Sequence, residues 1–176
     1  FKCNYIGTFD GQGYVITGLT NPADYEGDAA LFYSVISGGT VQNVGLEGGS
    51  LTSKQYRCAG VAAIVDGGTV RNCYNTGSIS GDSYTGGVVG DNRGGTVENC
   101  YNTGNVKCIY SDFVGGVIGS NDGSVKNCYN TGSVTSSEDY VGGVSGDNCG
   151  NVECCYYDKT VCGDISAVGL KGDTAN

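Results

Sequence analysis

The 176-residue sequence contains no histidine, no tryptophan and no methionine, and only one proline. Without histidine there can be no Ser-His-Asp or Cys-His nucleophile system. The HExxH zinc site and every other imidazole metal site are excluded with it. Basic residues are scarce as well. Nine Lys and Arg stand against eighteen Asp and Glu, a net charge of -9. An acidic chain without a basic run does not suit nucleic acid, whose phosphates need compensating cations. It gains nothing at an anionic membrane face either. No apolar stretch reaches the roughly 18 residues needed to span a bilayer, so membrane insertion is not expected. No CxxC occurs, which removes support for paired-cysteine zinc sites and thioredoxin-like motifs. Neither a cofactor nor a metal is expected.

Glycine and cysteine are abundant instead: 33 Gly and ten Cys. Glycine at this level, with so little proline and no three-residue period, is not collagen. An even, high cysteine count leans toward an oxidising, extracytoplasmic setting. The chain opens at Phe1 inside its own repeat pattern. It reads as a piece of a longer or processed protein whose secretion signal is gone.

The repeat is visible directly. Residues 69–77 read TVRNCYNTG, 96–104 TVENCYNTG and 124–132 SVKNCYNTG, with a degenerate NVECCYYDK at 151–159. Upstream, TVQNVGLEG at 40–48 fits the frame, and VITGLTN at 15–21 is taken as the earliest copy. Anchored on the apolar residue, the column is Ile16, Val41, Val70, Val97, Val125 and Val152, in steps of 25 to 29 residues. A second block follows in each period, from AGVAAIVDGG to GGVVGDNRGG, GGVIGSNDG and GGVSGDNCG. A third apolar site falls at Leu51, Ile79, Val106, Val134 and Val161.

Three short apolar segments per period, separated by Gly, Asn, Asp and Ser, lack any sustained helical period. The expected fold is all-β: a right-handed parallel β-solenoid of about six coils with a period of about 27 residues. Residues 1–157 would form the solenoid, and 158–176 a capping segment of the same domain that shields the open edge.

Substitution patterns orient the columns. Arg71, Glu98, Lys126 and Glu153 are polar and variable, so they face outward, where alternating signs help in-register stacking. Asn43, Asn72, Asn99 and Asn127 form a stacked column at a corner, a structural amide ladder. Cys73, Cys100, Cys128 and Cys155 follow Leu19 and Val44 in their column, so they face the core. They serve either as small apolar fillers or as one or two cross-coil bridges. Cys149, Cys154 and Cys162 cluster at the last coil, where a disulfide could staple the end. Cys3 could do the same at the other end.

At these residues the sequence resembles the GLUG repeat of secreted and wall-anchored proteins. TGGVVGDNRGGTVENCYNTGNV and VGGVIGSNDGSVKNCYNTGSV carry the resemblance most fully. It implies a non-catalytic segment of a bacterial surface or secreted protein, adhesin-like or accessory to an immunoglobulin A protease. The departures are Cys154 and Tyr157 in place of Asn, with further Cys at 3, 58, 108, 149 and 162.

The outward Tyr74, Tyr101, Tyr129 and Tyr156 are the leading ligand-binding candidates, because an aromatic stripe suits sugar rings and peptide groups. Tyr84, Tyr110 and Tyr140, just before the Gly-Gly block, would widen that surface or cover a corner. Paired carboxylates of a β-helical glycosidase would need Asp91 with Asp147, or Asp112 with Asp139. All four sit at repeated corners, where Asp is a good turn residue. The outward Thr76, Thr103 and Thr131 are too short a series for an ice-matching lattice. The expectation is a non-enzymatic, extracellular structural or adhesive module. Its partners would be host or cell-surface glycans or proteins, with end-to-end self-association possible for a solenoid cut from an array.

Overall fold

The computed structural model describes residues 3–108, 113–137 and 140–169. Every ladder between its named strands is parallel. The chain is a parallel β-solenoid of about six coils, with a repeat near 28 residues. The anchor column stacks as Val41, Val70, Val97, Val125 and Val152, each paired with the next. The tyrosine column stacks as Tyr74, Tyr101, Tyr129 and Tyr156 beneath Gly45. Leu51, Ile79, Val106 and Val134 form a third ladder. Among the described residues no helix is long and apolar enough to cross a membrane.

Two further ladders complete each coil, so a full coil has five short strands rather than three segments. The blocks read as single segments are each bent in two. In the third coil, Ser83–Gly86 and Val89–Arg93 flank a corner at Gly87. A Cβ there would lie 2.3 Å from both the Asn102 side chain and the Gly116 carbonyl, so only glycine fits. The two rows merge into one sheet through Val141–Asn148, an eight-residue strand that pairs with both Val114–Gly115 and Ile118–Asn121.

The first coil corrects the expected register. Phe9, not Ile16, lies over Val41, a step of 32 residues; Ile16 lies over Leu46. Its corner holds Gly11 to Tyr14, four residues where the next coil uses Asn43 and Val44. Gln12 and Gly13 both take positive φ (53° and 79°) to turn it. Leu19 leaves the cysteine column with it, since Thr17 lies over Glu47 and Thr20 over Ser50.

The core is a narrow column of valines, small residues and thiols. Val41, Val70, Val97 and Val125 are fully buried, as are Val61, Val88, Val117 and Val144 from the second block. No coil can bury this face alone; stacking does it. Between the valine columns run two buried amide ladders. Asn75 Nδ2 donates to Asn102 Oδ1, and Asn102 Nδ2 to Asn130 Oδ1, both at 2.9 Å. Asn92 donates to Asn121, and Asn121 to Asn148, both at 2.7 Å. Each Asn of the first ladder also accepts from a glycine N–H two residues on, at Gly77, Gly104 and Gly132. The side chain thus closes its own corner and links coils together.

After Tyr157 the chain makes one helical turn, Lys159–Cys162, capped by Asp158, whose Oδ1 accepts from Thr160 N at 2.9 Å. Ser166–Val168 then adds alongside Val141–Asn148. Val161, expected to extend the third apolar column, is 47% exposed. Cys162 is buried against Val106, Val114 and Val134 instead. The helical turn rotates the inward direction by one residue.

The buried ladder should dominate the energetics. Asn102→Ala removes two rungs and leaves Gly104 N–H without its acceptor. It should cost about 2–4 kcal/mol. Asn99→Gly, at the exposed corner, keeps the left-handed turn and should cost less than about 1 kcal/mol. Urea unfolding of both variants reads the difference; equal costs would contradict the ordering.

Candidate functional site

The tyrosine column forms as a stack. Tyr74 and Tyr101 lie 4.8 Å apart at 2°, and Tyr101 and Tyr129 lie 4.9 Å apart at 4°. Tyr156 pairs in register below Tyr129 and is 69% exposed. At the top, Tyr74 lies over the bare Cα of Gly45, where a Cβ would overlap the ring. Ring faces within the stack therefore contact one another. Between Tyr74 and Tyr129 the stripe offers solvent mainly ring edges and hydroxyls, whereas Tyr129 and Tyr156 at its lower end are 41% and 69% exposed. Tyr74 Oη donates to Glu47 Oε1 at 2.8 Å. Losing that bond and gaining a second negative charge beside Glu47 makes ionisation unfavourable, which pushes the Tyr74 phenol up to about 12.

The corner column is present as well. Asn43, Asn72, Asn99 and Asn127 all take φ between 52° and 56°. Asn72 Nδ2 donates to Asn43 Oδ1 at 2.9 Å, and Asn127 Nδ2 to Asn99 Oδ1 at 3.3 Å. Cys154 holds the same left-handed turn (φ 51°) in the last coil. The column ends on a carboxylate, for Asn43 Nδ2 donates to Asp10 Oδ1 at 3.0 Å. That amide, with the Gln12 N–H and Gln42, holds the Asp10 carboxyl below the usual carboxylate range.

Cys73, Cys100 and Cys128 are buried and Cys155 half-buried, one above another in the core. Their sulfurs approach backbone carbonyls two residues back, for example Cys100 Sγ to Glu98 O at 3.2 Å. Burial pushes the Cys100 thiol up, and Cys58 up to about 12. The expected end cysteines fall in different surroundings. Cys149 and Cys154 are exposed, whereas Cys162 points inward and donates to Gly132 O at 3.3 Å. Cys162 Sγ also accepts from Asn130 Nδ2 at 3.4 Å, terminating the buried amide ladder. Its position inside the end coil separates it from the two surface thiols.

Asp91, Ser120 and Asp147 do share one column. Asp91 is nevertheless committed to ion pairing: its Oδ2 accepts from Arg57 Nε at 3.0 Å and from Arg93 Nε at 2.8 Å. Arg57 also pairs with Asp28 at 3.4 Å. Two guanidiniums on one buried carboxylate describe a structural knot across three coils rather than a general acid or base. Asp112, Asp139 and Tyr110 lie outside the described residues. Of the outer charge column, Lys126 and Glu153 pair at 3.0 Å, and Arg71 bonds Gln42. Exposed pairs of this kind contribute under about 1 kcal/mol. Thr103 and Thr131 are exposed and Thr76 half-buried.

Sequence reasoning missed the interior ladder of Asn92, Asn121 and Asn148; the recurring Asn of GGVVGDN, GGVIGSN and GGVSGDN was the available signal. Tyr84 and Tyr140, expected to widen the stripe or cover a corner, join Arg57 and Phe113 in a second aromatic row. Tyr84 has φ 40°, which a bulky side chain rarely adopts.

In-register parallel coils with Asn, Cys and Tyr ladders define a solenoid repeat protein. Two of its coils carry a known repeat: the family described as the GLUG motif matches residues 81–107 and 114–135. A stretch of 87 residues, 49% of the chain, is 32% identical to Halomucin of Haloquadratum walsbyi (strain DSM 16790 / HBSQ001), and spans 1% of that protein. A crystal structure of a candidate immunoglobulin A1 protease from Bacteroides ovatus shares the fold, with a TM-score of 0.60 at 18% identity. The match covers 95% of this chain and 64% of that one.

Two measurements check the site. In native protein, Cys3, Cys149 and Cys154 should react quickly with an aromatic disulfide reagent, and the buried thiols only after unfolding. Rapid native reaction of Cys73, Cys100 or Cys128 would contradict the core assignment. In an ultraviolet phenolate titration, Tyr74 should lag from an ordinary 10.0 to about 12, and Glu47→Gln should bring it down. Because the folded phenol holds its proton more tightly, its contribution to stability is full below that ordinary value. It fades as pH rises toward about 12.

Proposed function

We propose that this chain is a non-catalytic, extracellular structural and adhesive repeat module of a cell-surface or secreted protein. The observation that carries the reading is continuous register. Val41, Val70, Val97, Val125 and Val152 stack without a slip, and amide ladders tie the coils on the inside and at the corner. Such a rod spaces or presents other elements, and its outer faces contact glycans or proteins of a host or neighbouring cell. The GLUG motif and the similarity to Halomucin support the surface or secreted setting. Exposed Ile6 and Tyr14 at the first coil suit stacking against another coil, end to end.

A second reading is an accessory, substrate-holding domain of a secreted enzyme. The shared fold with the candidate immunoglobulin A1 protease favours it. The glycosidase reading is weakened by the pairing of Asp91 with Arg57 and Arg93.

Beads coated with this chain should adhere to cells or surface glycans and leave both glycans and immunoglobulin A1 uncleaved, as measured by product chromatography. Cleavage by the chain alone that disappears in Asp91→Asn would overturn the non-catalytic assignment.

A further inference from the structure

The four stacked thiols of the core share one side-chain conformation. Cys73, Cys100, Cys128 and Cys155 Sγ each donate to the carbonyl two residues back, at Arg71, Glu98, Lys126 and Glu153, over 3.1 to 3.2 Å. Each also lies 3.8 Å from the anchor-valine carbonyl one coil earlier, at Val41, Val70, Val97 and Val125. Like side chains on in-register coils are related by translation alone, so their sulfurs repeat at the coil spacing. The rings one residue further on measure that spacing: 4.8 Å from Tyr74 to Tyr101 and 4.9 Å from Tyr101 to Tyr129.

That separation discriminates between partners for the sulfurs. A disulfide needs Cβ atoms about 3.5–4.5 Å apart and sulfurs at about 2.05 Å. Parallel side chains a full coil apart would have to be drawn together to make one. A metal–thiolate bond is about 2.3 Å long, so two such bonds in line across a cation span about 4.6 Å. The gap between successive sulfurs therefore suits one ion in linear, two-sulfur coordination. Among the described residues no group of three or more His, Cys, Asp or Glu is placed to hold a metal ion. A four-coordinate ion such as zinc finds no cage in these residues, whereas a soft cation satisfied by two thiolates needs none.

Burial and access select the pair. Cys73, Cys100 and Cys128 are sealed in the core, whereas Cys155, in the last coil, is half-buried and open to an entering ion. Its sulfur also accepts from Cys128 N at 3.4 Å, which ties the two residues directly. Two thiolates on a monovalent ion carry one net negative charge. A closed apolar core disfavours that charge, and partial contact with water relieves it. We propose that Cys128 and Cys155 form a linear site for a soft, monovalent d10 cation of the copper(I) class. Binding breaks two S–H bonds, forms two sulfur–metal bonds and releases both protons to solvent; no electron is transferred. The ligands lie 27 residues apart in the chain, so no short cysteine motif announces them. Stacking of the coils brings them together. The site is independent of the adhesive reading, since it lies in the core and not on the outer faces.

Silver(I), which binds thiolates without redox chemistry, is the probe, in chloride-free buffer with the thiols reduced beforehand. The exposed thiols are first removed from the whole chain as Cys3→Ser, Cys149→Ser and Cys154→Asn, the last restoring the residue of the corner column. This parent should retain one silver per chain after desalting and unfold at a higher temperature with silver than without. X-ray absorption at the silver edge should show two sulfur neighbours. Cys155→Val and Cys128→Val should each abolish retention and the thermal shift. Val44 fills the same column, so valine suits the core, and circular dichroism without silver checks the fold. Cys155→Ser, at the half-buried end, should lose silver as well. Cys100→Val should bind like the parent. Full retention in Cys155→Val, loss in Cys100→Val, or no silver held by the parent would each overturn the proposal. So would retention without a thermal shift, because an ion clamped between two coils must stabilise their stack.

Discussion

Register is the constraint on which this structure depends: like side chains must sit directly over one another through successive coils. Backbone hydrogen bonds between coils would tolerate many sequences. The buried amides would not, because an interior asparagine is stable only when an equivalent group in the next coil answers it. Asn75, Asn102 and Asn130 show the satisfied case. Asn92 shows the limit. Its Oδ1 is buried and has no partner, because the residue paired above it is Val65. A ladder that begins inside the solenoid leaves one acceptor unanswered at its head.

The ladders are directional, and their ends are distinctive. At the corner, each resolved amide bond points back toward the first coil, and the series finishes on the Asp10 carboxylate. In the interior, the Asn75 series points toward the last coil and finishes on the Cys162 sulfur. A group at each terminus thus takes up the last donor. This gives a physical reason for a thiol to lie inside the end coil.

The two aromatic rows differ in how their rings meet. Two-residue strands in strict register force Tyr74, Tyr101 and Tyr129 to be parallel, and parallel rings at coil spacing cover each other. Tyr84 escapes that rule at the bulge in Ser83–Gly86, and the rings of Tyr84, Phe113 and Tyr140 meet at 49° and 69°. Strictly repeated positions strengthen the rod.

Much of this was legible in the residues. Val70, Val97 and Val125 stack as their spacing requires, and Asn72 and Cys73 occupy the corner and the core as substitution patterns indicate. The fold class follows from the recurrence of identical short motifs at near-constant spacing, because a repeat can bury its apolar face only by stacking. The tertiary structure decided the rest. The four-residue corner at Gly11 to Tyr14, the bend at Gly87, the inward turn of Cys162 and the tilt of Tyr84 each depend on backbone angles and neighbours in adjacent coils. Linear spacing counts residues, but it does not measure how many of them a corner consumes or which way a turn leaves the next side chain pointing.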